Sequence, residues 1–184
     1  KTNNPTKRPS VNTPSYDIPL EHSFFSDAYA QLDLIVKTLE SIDEVPDHSE
    51  TEGFIETAGD ELRRKLFQGY LNKRAHDEQR VASVTNADGK PRNHVRKETC
   101  RTITSLFGQV DVTRMGYSQR QTSSLFPLDA ELNLFPDQYT DGVRKRIVAD
   151  VIDRSYDNAV KRHKETCAGH VGKRQAMQLA VDTA

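Results

Sequence analysis

The sequence predicts a mainly α protein that carries a small antiparallel β-hairpin and ends in a tri-helical, helix-turn-helix-like module. Two long stretches before residue 82 repeat apolar residues at helical spacing. A segment rich in β-branched residues is then interrupted by Gly108 and resumes with alternating valines. Three short helical patterns with two tight breaks follow from Thr140. Together these patterns predict the fold class.

Composition limits the cellular context. The chain has 184 residues with 35% apolar content, and it contains no run of 18 apolar residues and no apolar segment of a secretory signal. We therefore expect no membrane partner. Its two cysteines, Cys100 and Cys167, are too few for a disulfide framework, which indicates a reducing cytoplasm. The chain starts at Lys1 and stops inside a helical pattern, so we expect it to be part of a longer polypeptide.

Charge is distributed unevenly along the chain. The net charge is -1, but residues 1–60 contain 4 basic and 12 acidic residues. Residues 61–125 contain 13 basic and 6 acidic residues, and residues 126–184 contain 9 of each. The basic middle third is where we expect contacts to phosphate groups.

The N-terminal third is predicted to be a flexible arm followed by two helices. Four prolines among polar residues predict a flexible or extended arm over residues 1–22. Ser26 is a candidate N-cap for a helix that reaches Ile42. Its apolar stripe has nearly heptad spacing and serves either packing within the domain or self-association. The stripe contains Ala28, Leu32, Ile35, Val36, Leu39 and Ile42.

A longer helix is predicted over Glu50–Arg80. Ser49 and Glu52 form a capping-box pattern at its start. Apolar residues occupy two sides of this helix, which implies more than one neighbour. Basic residues such as Lys73 and Arg74 occupy the rest of its surface.

The middle of the chain predicts a basic β-hairpin followed by a connector. The run Asn86–Pro91 is a turn signal between strand-like segments, and Gly108 separates two further strands. This hairpin, which includes Arg101 and Arg114, either lies on a phosphate backbone or is simply solvated. In the connector, Leu125–Tyr139, two prolines exclude one continuous helix, so we expect a buried, irregular segment.

The C-terminal module begins with Thr140 as a candidate N-cap and continues with Ser155 as the cap of its second helix. Gly169 suits the left-handed position that ends this helix. The third helix begins near Lys173. The predicted organisation is therefore an arm (1–22), a helical region (23–82), a basic hairpin (83–124), a connector (125–139) and a helix-turn-helix-like module (140–184).

The candidate DNA-binding residues fall into two groups. In a helix-turn-helix protein, the start of the last helix meets base edges, and the outward residues there are Lys173, Arg174, Gln175 and Gln178. Phosphate contacts are assigned to basic residues of the middle third. These are Lys73, Arg74, Arg101 and Arg114. An ordinary solvated helical bundle is the alternative interpretation of the same pattern.

A tetrahedral zinc site is conceivable at His163, Cys167 and His170, with Cys100 as a fourth ligand. Their spacing matches no common zinc finger, and two of them lie on the predicted core face. A buried cysteine and a hydrogen-bonded histidine explain the pattern equally well. We predict no metal site and no catalytic residue in this chain.

Several runs resemble the N-terminal region of ISKra-type insertion-sequence transposases. They are TSLFGQVDVTRMGY (104–117), LFPLDAELNLFPDQYTDGVRKR (125–146), SYDNAV (155–160) and GHVGKRQ (169–175). The resemblance spans roughly residues 61–184. It implies a DDE-type transposase whose metal-binding carboxylates, with Mg²⁺ as the expected cofactor, follow this region.

The resemblance thus implies a non-catalytic region that binds double-stranded DNA at element ends and assembles subunits, in the bacterial cytoplasm and associated with the nucleoid. Two alternatives remain at this stage. One is an oligomerisation or interaction module that does not read DNA. The other is a stand-alone, transposase-derived DNA-binding regulator.

Overall fold

A computed structural model describes residues 24–41 and 47–183 of the chain. The predicted arm, 1–22, and Ile42 lie outside these residues. The described residues form a mixed α and β architecture in which helices predominate. Its elements are α1 (Ser26–Glu40), α2 (His48–Asp77), β1 (Val84–Thr85), β2 (Pro91–Arg92), β3 (His94–Ser105), β4 (Gly108–Ser118), α3 (Pro127–Glu131), α4 (Asp141–Asp153), α5 (Tyr156–Thr166) and α6 (Lys173–Thr183).

The first two helices form an antiparallel pair. Ala28, Gln31 and Ile35 of α1 are buried, and the Gln31 side chain bridges the two helices. Its amide donates to the carbonyl of Ala58 at 3.4 Å and its oxygen accepts from Lys65 Nζ at 2.8 Å. Only part of the predicted α1 stripe is therefore used in this packing.

Both predicted caps in this region are wrong by one or two residues. Phe25 is the N-cap of α1, without a side-chain hydrogen bond, and Ser26 is already helical. Asp47, rather than Ser49, caps α2, because its carboxylate accepts from the Ser49 backbone amide at 3.3 Å. Aspartate is as good an N-cap as serine, so the helix starts at the earlier of two competing residues.

The predicted turns are confirmed. Strands β1 and β2 pair antiparallel across residues 86–90, with Gly89 at φ 70°. Strands β3 and β4 form an antiparallel hairpin whose turn has Gly108 at φ 111°. Glycine suits both positions because other residues rarely adopt a positive φ.

Arg92 stabilises the turn at residues 86–90 between β1 and β2. Its guanidinium donates to both carboxylate oxygens of Asp88 at 2.7 and 2.6 Å. The Arg92 side chain is almost fully buried. This contact lowers the pKa of the Asp88 carboxyl to about 2.

Helix α2 covers one face of the β3–β4 hairpin. The core between them contains Leu71, Ile103, Val110 and Val112. Gln68 of α2 bonds both backbone groups of Asp111, accepting from its amide at 2.8 Å and donating to its carbonyl at 2.9 Å. Burying each such aliphatic side chain contributes about 1.5–3 kcal/mol, so the hairpin is held chiefly by this apolar contact.

The connector is less irregular than predicted. It contains α3, and its two ends add short bridges to the hairpin: Leu125 pairs with Tyr117, and Tyr139 pairs with Thr104. The connector therefore runs along the hairpin from its base to its tip.

The three predicted C-terminal helices are present. They enclose a core of Tyr139, Val143, Ile147, Val171, Ala176 and Leu179. Ser155 caps α5 as predicted, accepting from the Asn158 amide at 3.4 Å, and Thr140 occupies the N-cap of α4 without a side-chain bond. Within the described residues, no helix is long and apolar enough to cross a membrane.

The role predicted for Gly169 is wrong. Helix α5 ends earlier, with Cys167 extended as its C-cap, and Gly169 does not have a positive φ. The residue must be small for another reason: a Cβ there would lie 2.1 Å from the carbonyl oxygen of Ser105. Gly169 therefore permits a close approach of two backbones.

Candidate nucleic-acid interface

Helix α6 has one buried face and one solvent-facing face. Ala176 and Leu179 are buried in the tri-helical core. The residues predicted to face outward do so: Lys173, Arg174, Gln175 and Gln178 are all exposed. The structure thus brings these four candidates together on the surface of one helix.

The exposed residues of α6 differ in how they are held. Lys173 Nζ lies 2.7 Å from the Asp157 carboxylate, which links the start of α6 to the first turn of α5. Gln178 donates to Asp182 at 2.7 Å, one turn along the helix. Arg174 has no hydrogen bond or ion pair within the described part of the chain, so its guanidinium projects into solvent.

Two apolar residues also belong to this face. Met177 and Val181 are 45% and 70% exposed. They follow Arg174 at intervals of three and seven residues, which places them on the same side of the helix. Sequence reasoning named only the polar residues of this face. The helical spacing of Met177 and Val181 from Arg174 would have identified these two residues as well.

The turn before α6 is held by the tip of the β3–β4 hairpin. The Ala168 amide donates to the Leu106 carbonyl at 3.2 Å, and Gly169 lies against Ser105. The turn spans residues 167–172, which is longer than the three or four residues of a typical helix-turn-helix. Its conformation is therefore supported from outside the three helices.

Helix α5 presents a basic surface beside this turn. Lys161, Arg162 and Lys164 are exposed. Lys161 and Arg162 lie 3.9 Å and 3.2 Å from Glu165 and Asp150, respectively. Lys164 makes no ion pair among the described residues, so its ammonium group is a further unpaired cation on α5.

An open polar crevice of about 410 Å³ adjoins the start of α6. Amide side chains from three elements line it, and an imidazole and a hydroxyl complete it. These residues are Gln109, Gln138, Gln175, His170 and Thr104. Amide groups both donate and accept hydrogen bonds, as base edges require. Sequence reasoning missed Gln109 and Gln138, because they come from the hairpin and the connector.

Three of the four predicted phosphate contacts lie elsewhere, around α3. Arg74 lies 2.8 Å from the Glu131 carboxylate, and Arg114 lies 2.8 Å from that of Asp129. Arg101 donates to the carbonyl of Phe135 at 2.9 Å. Arg101 and Arg114 hold the connector against the hairpin, and Arg74 links the connector to α2 through an exposed pair.

Arg114 shows the largest departure from the prediction. Its side chain is 5% exposed, and its guanidinium carbon lies 4.2 Å from the centre of the Phe126 ring. The Nε hydrogen is not directed at Asp129, so the contact is an ion pair rather than a hydrogen bond. Burial lowers the pKa of the guanidinium, although Asp129 opposes this shift. Such a group is inaccessible to a phosphate.

Lys73 is the exception among these four residues. It remains half-exposed on α2 and pairs with Asp77 one turn away. An exposed pair of this kind contributes only about 0.3–0.5 kcal/mol, so Lys73 is available to another anion.

The residues considered for zinc do not form a site. Among residues 24–41 and 47–183, no group of three histidine, cysteine or carboxylate side chains is arranged to hold a metal ion. His163 is buried under α4, whereas Cys100 is exposed on β3. Neither ring nitrogen of His163 has a hydrogen-bond partner, so the prediction of a hydrogen-bonded core histidine is only half right.

Comparison with known proteins adds no relative. No protein-family model, curated protein or solved structure matches the chain significantly. The candidate interface therefore rests on its own geometry.

Proposed function

We propose that this chain is the DNA-binding and assembly region of a transposase and that it recognises the ends of a DNA element through α6. One observation carries the proposal: the outer face of α6 presents the unpaired Arg174 while its inner face is fixed in a core. A recognition helix needs both properties, because base contacts require an exposed helix whose position is rigid.

The chemistry of this face suits the major groove of double-stranded DNA. Arginine donates two hydrogen bonds to guanine, and glutamine pairs with adenine in the same way. Met177 and Val181 offer apolar contacts to thymine methyl groups. In this proposal Lys173 and Lys164 contact the flanking phosphates.

Arg74, Arg101 and Arg114 have no part in this proposed interface, since they bind the connector. The Mg²⁺-dependent cutting and joining that the resemblance implies is not assigned to any residue of this chain. A stand-alone regulator would use the same α6 face, so both functions require sequence-specific DNA binding by α6.

The experiment selects a bound sequence from a randomised duplex library and then compares that duplex with a scrambled one. We expect Arg174→Ala to reduce the ratio of the two affinities by about 5- to 150-fold, which corresponds to about 1–3 kcal/mol per lost base contact. Lys164→Ala should weaken both duplexes equally and reduce the salt slope by about one unit.

Arg120→Ala, an exposed arginine at the other end of the hairpin, is the matched control. It should leave the specificity ratio unchanged. A folded Arg174→Ala protein with an unaltered ratio would show that α6 does not read the bases.

A further inference from the structure

Helices α1 and α2 expose an unusual amount of apolar surface. Seven large apolar side chains on the two helices are each 40–57% exposed. Leu34 lies on the opposite flank of α1 from the others, which leaves six. They are Tyr29, Leu32 and Val36 of α1, and Ile55, Leu66 and Tyr70 of α2. Single exposed apolar residues are ordinary, but a contiguous patch of several hundred Å² marks an interaction surface.

The six side chains lie on one side of the helix pair. In α1, Gln31 contacts α2, and Leu32 and Val36 are offset from it by roughly 100° and 140° on one flank. In α2, Gly69 lies against Phe24 and Phe25, and Leu66 and Tyr70 are offset from it to the corresponding flank. Because the helices run antiparallel, these two flanks face the same way.

This apolar face is not the surface that packs on the hairpin. Helix α2 contacts β4 through Leu71 and Gln68, which lie on the opposite side from Ile55 and Leu66. No other element among the described residues covers this face, because each of the six side chains keeps at least 40% of its surface exposed.

The charges of α2 indicate what covers this face. Between residues 48 and 61 the helix has five acidic and no Lys or Arg residues. Between residues 62 and 77 it has five Lys or Arg residues and one aspartate. Along the apolar stripe, Glu52 lies one turn before Ile55, and Lys73 lies one turn after Tyr70. The stripe is thus acidic at one end and basic at the other.

From this pattern we infer that the apolar face binds a second copy of this chain, with the two α2 helices antiparallel. The two-fold axis then passes near Leu62, midway between Glu52 and Lys73. Each Glu52 meets the partner's Lys73, and the six apolar side chains of each copy form the core of a four-helix bundle. A parallel arrangement is disfavoured because it would bring like charges together.

The arrangement is self-complementary, as a two-fold interface requires. A stable interface buries about 800 Å² on each partner, and charged pairs at its rim set the register more than the affinity. The intrahelical pair of Lys73 with Asp77 is exposed and weak, so it does not prevent the new contact. This interface uses none of the residues of α6.

The test measures the mass of the 184-residue chain in solution over a range of concentrations. We expect a dimer of twice 20.8 kDa, with an affinity for self-association that depends on salt. Leu32→Asp combined with Leu66→Asp should give a monomer with an unchanged circular dichroism spectrum, because both positions are exposed. If the intact chain were monomeric at about 100 µM, the proposed dimer would be refuted, even if another segment of the same chain were found to cover the apolar face.

Charge exchange tests the antiparallel arrangement. Glu52→Lys and Lys73→Glu should each raise the dimer Kd by about tenfold, since each creates two like-charge contacts, and the double variant should recover most of the affinity. Glu50→Lys, a similar change on the other side of α2, is the control and should have little effect. A double variant no better than either single one would refute the pairing of Glu52 with Lys73.

Discussion

Arg114 and Asp129 form an ion pair beneath the connector, with 2.8 Å between the arginine Nε and a carboxylate oxygen. The side chains are 5% and 16% exposed, and Phe126 covers the guanidinium. Strand β4 alternates buried and exposed residues, and Arg114 falls on its buried side. A residue that sequence alone assigned to DNA is therefore part of the interior.

Removing one partner of this pair should destabilise the fold. Asp129→Asn leaves the buried guanidinium without its counter-charge, so we expect the free energy of unfolding to fall by about 3 kcal/mol in urea titrations. Asp33→Asn, which breaks an exposed pair with Lys37, should cost less than about 0.5 kcal/mol. If Asp129→Asn were as mild as the control, the ion pair would not be a significant support of the connector.

The stability of the tri-helical module should depend on pH through His163. Burial lowers the pKa of this imidazole, with Arg146 acting in the same direction, whereas Asp150 opposes the shift. The unfolded chain thus takes up a proton at a pH where the folded chain does not. Stability is retained above the unfolded pKa of about 6.5 and falls as the pH decreases below it, until the lower folded pKa is reached.

Substitution of His163 isolates this effect. We expect His163→Leu to flatten the dependence of the unfolding free energy on pH below about 6.5 relative to the unmodified protein. Parallel pH profiles for the two proteins would contradict the assignment to His163.

Gly169→Ala should separate the hairpin tip from the turn before α6. The new Cβ would lie 2.1 Å from the Ser105 carbonyl oxygen, and backbone atoms on both sides must move. Overpacking of this kind costs about 1–3 kcal/mol, so we expect a lower Tm. Amide exchange at Ala168 should also be faster in the variant, because the hydrogen bond from Ala168 to the Leu106 carbonyl would be strained.

Gly53→Ala provides the contrast. A Cβ at Gly53 meets nothing within 4 Å, and alanine is the better helix former by about 1 kcal/mol. This variant should therefore be as stable as the unmodified chain or more so. An equal loss of stability in both variants would show that the close approach at Gly169 is unimportant.

Local signals were sufficient to predict most elements. Ser155 could be predicted as the cap of α5 because a cap involves only residues that are close in sequence. Gly108 could be predicted at the hairpin turn because a positive φ is a requirement of a single residue. The start of α2 was assigned to Ser49, whereas the neighbouring Asp47 is the cap, because its carboxylate accepts from the Ser49 amide. The starts of the helices were therefore less certain than their presence.

Non-local contacts were not predictable in this way. Nothing near Arg114 in sequence indicates that Phe126 and Asp129 will enclose it. Arg144 has a similar environment, with Phe135 at 4.1 Å and an ion pair to Asp137. In both cases the connector supplies a phenylalanine, a proline and an aspartate within four residues. Only the folded structure shows that each of these sets encloses one arginine.

The contact between the hairpin tip and the last three helices has a consequence for inheritance of the module. Tyr139 and Leu106 belong to the tri-helical core although they precede α4, and Thr104 bonds the backbone on both sides of Tyr139. A cut at Thr140 thus divides a single packing unit. Recombination that transferred only α4 to α6 to a new gene would leave apolar side chains of this core exposed. An exchange beginning before α2 would not, because α2 covers the other face of the hairpin.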